Sequence, residues 1–224
     1  MSKRSRPLRR RKAQLEPRPR LLIICEGKVT EPSYFKGLIQ AEQIRLIEVV
    51  VDNEGGTPKT LVERAVSRIK ASKRQAKGAR DQNLKYDEIW CVFDVDEHPK
   101  LMDALQQAKA QGISIAISNP CFELWLLLHF TYHSAWIDRH AVQNACREHL
   151  KDFDKYINFS EVSNYIEVAI LRAEQLEKWQ ETRGCSGENP STTVHRLVQH
   201  IIHMSKTEYL KQIQELQSKE AFIR

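Results

Sequence analysis

A five-residue run with no polar interruption, Leu21-Leu22-Ile23-Ile24-Cys25, stops abruptly at Glu26-Gly27, and a second run, Ile89-Trp90-Cys91-Val92-Phe93, stops at Asp94-Val95-Asp96-Glu97. Runs this short and apolar on both faces are strands of a sheet covered on two sides, which makes the sheet mostly parallel. A carboxylate placed where an apolar strand ends is not core filler. Several of them meeting at one sheet edge repel one another unless a divalent cation lies between them.

The apolar period then switches repeatedly between strand and helix spacing. After residues 21–25, Thr30 and Pro32 open a helix with Tyr34, Phe35, Leu38 and Ile39 on one face. Residues 44–51 read as a second strand, Asn53 to Gly56 as a turn, and Thr57-Pro58 as the start of a helix carrying Leu61, Val62, Ala65, Val66 and Ile69. A third strand over 88–93 precedes a helix stopped by Gly112, and a fourth over 113–117 leads through Ser118-Asn119-Pro120 into an apolar helix ending at Phe130. This predicts a four-stranded, mostly parallel α/β domain over residues 21–131. From Ser134 the pattern is purely helical, with a capping box at Ser205-Lys206-Thr207-Glu208, so residues 132–224 read as a helical region packed on the sheet.

Charge divides the chain differently. Of 224 residues with a net charge of +6, the first twenty hold nine Lys or Arg against the single Glu16, or +8, which leaves −2 for the rest. The segment 1–20 is therefore expected to be a disordered basic tail, in which Arg9, Arg10, Arg11 and Lys12 attract polyphosphate or simply aid solubility. The cysteines Cys25, Cys91, Cys121, Cys146 and Cys185 are scattered and odd in number, and three of them fall in or beside apolar runs, which reads as buried thiols of a reducing cytosol. The amino-terminus lacks the apolar stretch of a signal peptide, so a soluble, cytoplasmic protein is expected.

Ligands of parallel sheets bind where the strands' carboxyl ends meet, and Glu26, Asp94 and Asp96 all stand at that edge if strands one and three are neighbours. Phosphodiester cleavage needs charge neutralised on non-bridging oxygens, a deprotonated nucleophile and relief of charge on the leaving oxygen, all of which Mg²⁺ or Mn²⁺ held by carboxylates supplies. Asp94 and Asp96 would hold the ion, with Glu26 completing the shell or serving as acid or base. Glu31 and Glu123, each in the first turn of a helix, are candidate ligands to a second ion, and Lys28 is placed to touch a phosphate. Duller readings exist for each. The acidic run at 94–97 could cap the next helix, Asn119 and Glu123 could cap the fourth, and Lys28 could be solvated. The pair His129 and His133 lacks the Glu that a zinc protease places after its first His, and Trp125, Trp136 and Trp179 read as core or interface before base-stacking platforms.

Cys25-Glu26-Gly27 after the first strand and Asp94-Val95-Asp96 after the third are similar to the acidic motifs of the Toprim fold. Together with Thr30-Glu31-Pro32-x-Tyr34-Phe35, Glu97-His98, Ser118-Asn119-Pro120-Cys121-Phe122-Glu123-Leu124-Trp125 and Asn189-Pro190-Ser191-Thr192-Thr193-Val194, they resemble the RloB-like family over roughly residues 20 to 205. That resemblance implies a Toprim-type nuclease acting as effector of a bacterial anti-phage or abortive-infection system, similar to the second component of the AbiL system. It also implies an ABC-type ATPase partner. The position of Asp94-x-Asp96 after strand three argues against a haloacid-dehalogenase-type phosphotransferase, which carries its motif after strand one. The chain is too small for a topoisomerase or primase. An endonuclease on RNA or DNA is the reading; the alternative is a non-catalytic, metal-stabilised docking or nucleic-acid-binding subunit of an ATPase complex. Apolar helical surface left over leaves self-association open.

Overall fold

The computed structural model describes residues 19–44, 47–51, 57–95 and 101–207. In chain order these form β1 (Leu21–Cys25), α1 (Thr30–Ala41), β2 (Ile47–Val51), α2 (Pro58–Ala79), β3 (Glu88–Asp94), α3 (Leu101–Gln111), β4 (Ser114–Asn119), α4 (Glu123–Phe130), α5 (Arg139–His149), α6 (Ile166–Arg183) and β5 (Ser191–Thr192). A helix α7 follows over residues 194–207. The strands make one five-stranded sheet in the order β2-β1-β3-β4-β5, parallel throughout except for β5.

The period of two along each strand sorts side chains between two cores. Leu21, Ile23, Cys25, Val92 and Ala116 face the core built with α1, α4, α5, α6 and α7, whereas Leu22, Ile24, Cys91 and Phe93 face the one built with α2 and α3. β1 and β3 are direct neighbours, with Leu22 opposite Ile89 and Cys25 opposite Val92. Because the strands run parallel in near register, Glu26 and Asp94 leave the sheet at the same edge.

The strand count expected from sequence is corrected from four to five. Ser191-Thr192, within the region expected to be purely helical, instead pairs antiparallel with β4, Ser118 opposite Thr192 and Asn119 opposite Ser191. Thr193 fastens the pair: its N–H donates to the Ile117 carbonyl at 2.8 Å, and its Oγ1 accepts from the Ile117 N–H at 2.9 Å. The region after Ser134 is thus not purely helical. It also holds 3₁₀ turns at Phe159–Glu161 and Ser163–Tyr165. Likewise β2 begins at Ile47, because Ile44 closes α1 with its N–H on the Ile39 carbonyl at 3.1 Å. Ser205 does not start a helix, since Ser205, Lys206 and Thr207 already lie within α7, Glu208 being outside the described residues; the Ser205 hydroxyl donates to the Glu42 carbonyl at 3.1 Å.

Helix starts follow sequence more closely. Thr57 caps α2, its Oγ1 accepting from the Thr60 N–H at 3.4 Å, with Pro58 in the first turn, and Asp138 caps α5 by accepting from the His140 and Ala141 N–H groups at 2.9 and 3.1 Å. α1 and α4 meet through an aromatic cluster centred on Tyr34, whose ring stands edge-on to Phe122, Trp125, His129 and Phe159 at 5.4–6.1 Å. Cys25, Cys91, Cys121 and Cys146 are buried free thiols, as expected, and Cys185 is half-buried. Arg20, counted with the tail by its charge, is tied to the sheet: it donates to Asp87 and to the Leu84 carbonyl and lies over the Tyr86 ring at 4.6 Å. Among the described residues no helix is long and apolar enough to cross a membrane.

Glycine positions give a stability test. A Cβ at Gly37 would stand 2.3 Å from Phe159 Cβ, whereas at Gly78, exposed in α2, nothing lies within 4 Å. Gly37→Ala is expected to cost about 1–3 kcal/mol by overpacking, and Gly78→Ala to add roughly 0.5–1 kcal/mol through helix propensity. Urea midpoints that move in the same direction for both would contradict the α1 packing described here.

Candidate functional site

Glu26 begins the loop that leaves β1, and its N–H still donates to the Val92 carbonyl at 3.0 Å, so the loop departs from a position fixed by the β1–β3 ladder. Asp94 is the last residue of β3, and the next N–H, of Val95, donates to the Ser118 carbonyl at 2.8 Å. Both carboxylates are half-buried at the carboxyl edge of adjacent strands. Lys28 is exposed in the loop between Glu26 and α1. Asp96 lies outside the described residues, as do Arg9, Arg10, Arg11 and Lys12.

Two more carboxylates come from the helices. Glu31, in the first turn of α1, and Glu123, the first residue of α4, are each 5% exposed. The aromatic cluster fixes their relation: Glu31 stands one helical turn before Tyr34, and Glu123 directly follows Phe122. Glu31 folds back over Gly27, where an added Cβ would fall 1.9 Å from Glu31 Oε2. Its carboxyl is pushed up from 4.5 to about 7, first by burial and then by the negative charges of Glu123 and Glu26, against the lowering effect of its own backbone amide and that of Gly27. The Cys121 thiol is likewise raised, by burial and then by the charges of Glu123 and Asp94. Glu26, Glu31, Asp94 and Glu123 therefore lie within one electrostatic neighbourhood.

Positive charge reaches it from a residue that sequence reasoning missed. Arg139, the first residue of α5, places Nη2 3.3 Å from Asp94 Oδ2 and 3.4 Å from the Pro120 carbonyl. Gln143, one turn later, donates to Glu123 Oε1 at 3.5 Å. A basic residue in the first turn of a helix opposes the helix dipole, and that was the available signal that Arg139 answers a carboxylate elsewhere.

The motifs around the two Asn-Pro peptides also come together. Asn119 Nδ2 donates to the Gly187 carbonyl at 3.0 Å, while Asn189 grips the backbone of Ile137, accepting from its N–H at 3.2 Å and donating to its carbonyl at 2.8 Å. Asn119 thus ties β4 to the segment before β5, and Asn189 ties that segment to the loop that delivers Arg139. The Ser118 and Thr192 hydroxyls meet at 2.9 Å beneath this edge.

An all-oxygen donor set suits hard divalent cations rather than zinc or copper. Glu31 tests that fit: its carboxyl is raised mainly by burial and further by Glu123 and Glu26, and that added negative charge is what a cation would relieve. Among the described residues no three Asp, Glu, His or Cys side chains stand close enough to grip a metal ion as they are. His129 is not a ligand. Its Nδ1 donates to the Trp125 carbonyl at 3.0 Å, leaving Nε2 to accept from the Tyr34 hydroxyl at 3.3 Å, and burial lowers its pKa from 6.5 to about 4.

These two groups give opposite pH slopes. The folded chain binds fewer protons at His129 than the unfolded chain between pH 6.5 and 4, so stability is lost as pH falls through that range. It binds more at Glu31 between pH 4.5 and 7, so stability is lost as pH rises through that range. In chelator, Glu31→Gln should abolish the loss toward neutral pH, and His129→Gln the loss toward acid. Urea midpoints across the window check both, and unchanged slopes would refute the burial of these groups.

A mostly parallel α/β sheet with acidic side chains gathered at its carboxyl edge defines the class of this protein. The family profile described as RloB-like protein matches residues 21–201, and the chain belongs to the RloB-like family. No curated protein and no solved structure matches the chain.

Proposed function

We propose that this chain is a metal-dependent nucleic-acid phosphodiester hydrolase, an endonuclease of the Toprim type, with Glu26, Asp94 and Asp96 as its central carboxylates. The observation that carries this reading is the meeting of Glu26 and Asp94 on neighbouring parallel strands, with Glu31 and Glu123 brought to the same neighbourhood by α1 and α4. Glu26, Asp94 and Asp96 would hold Mg²⁺ or Mn²⁺, with Glu31 and Glu123 as further donors. The bound cation supplies neutralisation of phosphoryl charge and a more acidic water.

The chain's own residues have separable tasks. Glu31, pushed up to about 7 with no cation bound, can carry a proton in the empty site and would give that proton up as a cation arrives. Arg139 holds Asp94 in place and keeps a positive charge beside the edge. Lys28, exposed on the loop after Glu26, is positioned to meet a phosphate, and the basic residues Arg9, Arg10, Arg11 and Lys12 would hold the backbone of a longer nucleic acid.

The family resemblance supports a cytoplasmic effector of anti-phage defence governed by an ABC-type ATPase. The second reading, a docking subunit without catalysis, is favoured by the Asp94–Arg139 pair, which already neutralises one acidic side chain. Incubation of the chain, alone and with its ATPase, with total cellular RNA and plasmid DNA across a Mg²⁺ and Mn²⁺ titration separates the two. Cation-dependent cuts at defined ends are expected; intact nucleic acid under every condition would leave the docking reading.

A further inference from the structure

Trp136 is 72% exposed, which rules out the core half of its reading, whereas its neighbour Ile137 packs inward against the cluster of Cys121, Leu124, Val142 and Leu176. The indole is not on a loose segment. Asn189 clamps the Ile137 backbone from both sides, and Asp138 caps α5 immediately afterwards. Three residues along, Arg139 reaches Asp94, so the Trp136 backbone lies at most roughly 11 Å along the chain from the residue that contacts the acidic edge.

A large apolar ring left in water on a fixed backbone forgoes burial that most tryptophans obtain. Its exposed neighbours along the chain, Ala135, Asp138 and His140, are small or polar, and between Met102 and Tyr156 no other large hydrophobic residue is exposed, which is not the sequence pattern of a contiguous apolar face. An exposed indole on a fixed backbone, three residues before the arginine that reaches the proposed site, is what an unstacked base needs: a flat surface that costs little conformational entropy to use. A paired base in a duplex has no free face to offer it.

We propose that Trp136 is a stacking platform for an unpaired base, and that the site takes single-stranded rather than duplex nucleic acid. This rests on the nuclease reading for its setting, yet binding without cutting tests it separately. With the full chain in EDTA, affinities for labelled oligo(U), oligo(dT) and a duplex are read by anisotropy at one salt concentration. Trp136→Ala is expected to weaken single-strand binding by about 5- to 150-fold, Trp136→Phe to retain most of it, and duplex binding to stay unchanged. With a cation present, Trp136→Ala should raise KM on a single-stranded substrate and leave kcat nearly as it was.

Unchanged single-strand affinity in Trp136→Ala, an equal loss on duplex, or no single-strand binding by the wild-type chain would overturn the proposal. So would loss of self-association or of ATPase binding with single-strand affinity intact, which would assign the indole to a protein interface. Failure to cut under all conditions, with Trp136-dependent binding preserved, would remove the nuclease reading and leave the platform standing.

Discussion

Asp94→Asn and Glu26→Gln are each expected to reduce cation-dependent cleavage by about 10²- to 10⁴-fold while the chain remains folded. Each change keeps the shape of its side chain and removes the negative charge that would draw a cation to the sheet edge. The fold should tolerate both, because neither residue belongs to the two cores and the ladder contact of Glu26 is made by its backbone. Asp94→Asn leaves Arg139 facing a neutral amide, but that guanidinium is 38% exposed and solvent can serve it. Circular dichroism and urea midpoints establish the fold, and cut-end sequencing measures activity. Full activity in both variants would show that the chemistry lies elsewhere.

A second large effect is expected at Gly27. Its backbone is not in the left-handed region, so alanine is conformationally acceptable there; the obstacle is Glu31, whose three carboxyl atoms would all lie within 2.3 Å of the new methyl group. Gly27→Ala must drive that carboxyl from its buried position, at a cost of about 1–3 kcal/mol in stability, and with it the group proposed to handle protons. Because the nearest contacts are with one side chain, Glu31→Ala should make Gly27→Ala nearly neutral. A double-mutant cycle read by urea midpoints tests this, and additive effects would show that the glycine is required for another reason.

The parts of this arrangement legible in sequence are those set by local pattern. Apolar runs that end in acidic residues gave Glu26 and Asp94 their edge, and helix-start spacing put Glu31 and Glu123 in first turns. β5 was not legible: two residues after a proline carry no alternation, and their place is decided by pairing with β4, some seventy positions earlier. Arg139 escaped for the same reason, since its partner Asp94 lies 45 positions away. The core half of the Trp136 reading failed because an aromatic residue beside Ile137 has the composition of a core, and only the Asn189 clamp decides which of the two turns inward.

The sheet edge beside Asp94 is finished by a segment some seventy positions further along the chain, with Gly187 holding Asn119 and Thr193 fastening Ile117. During synthesis, β1, β3 and β4 leave the ribosome long before that segment does. A nascent chain therefore carries Glu26 and Asp94 without their finished border until residues 187–193 have been made.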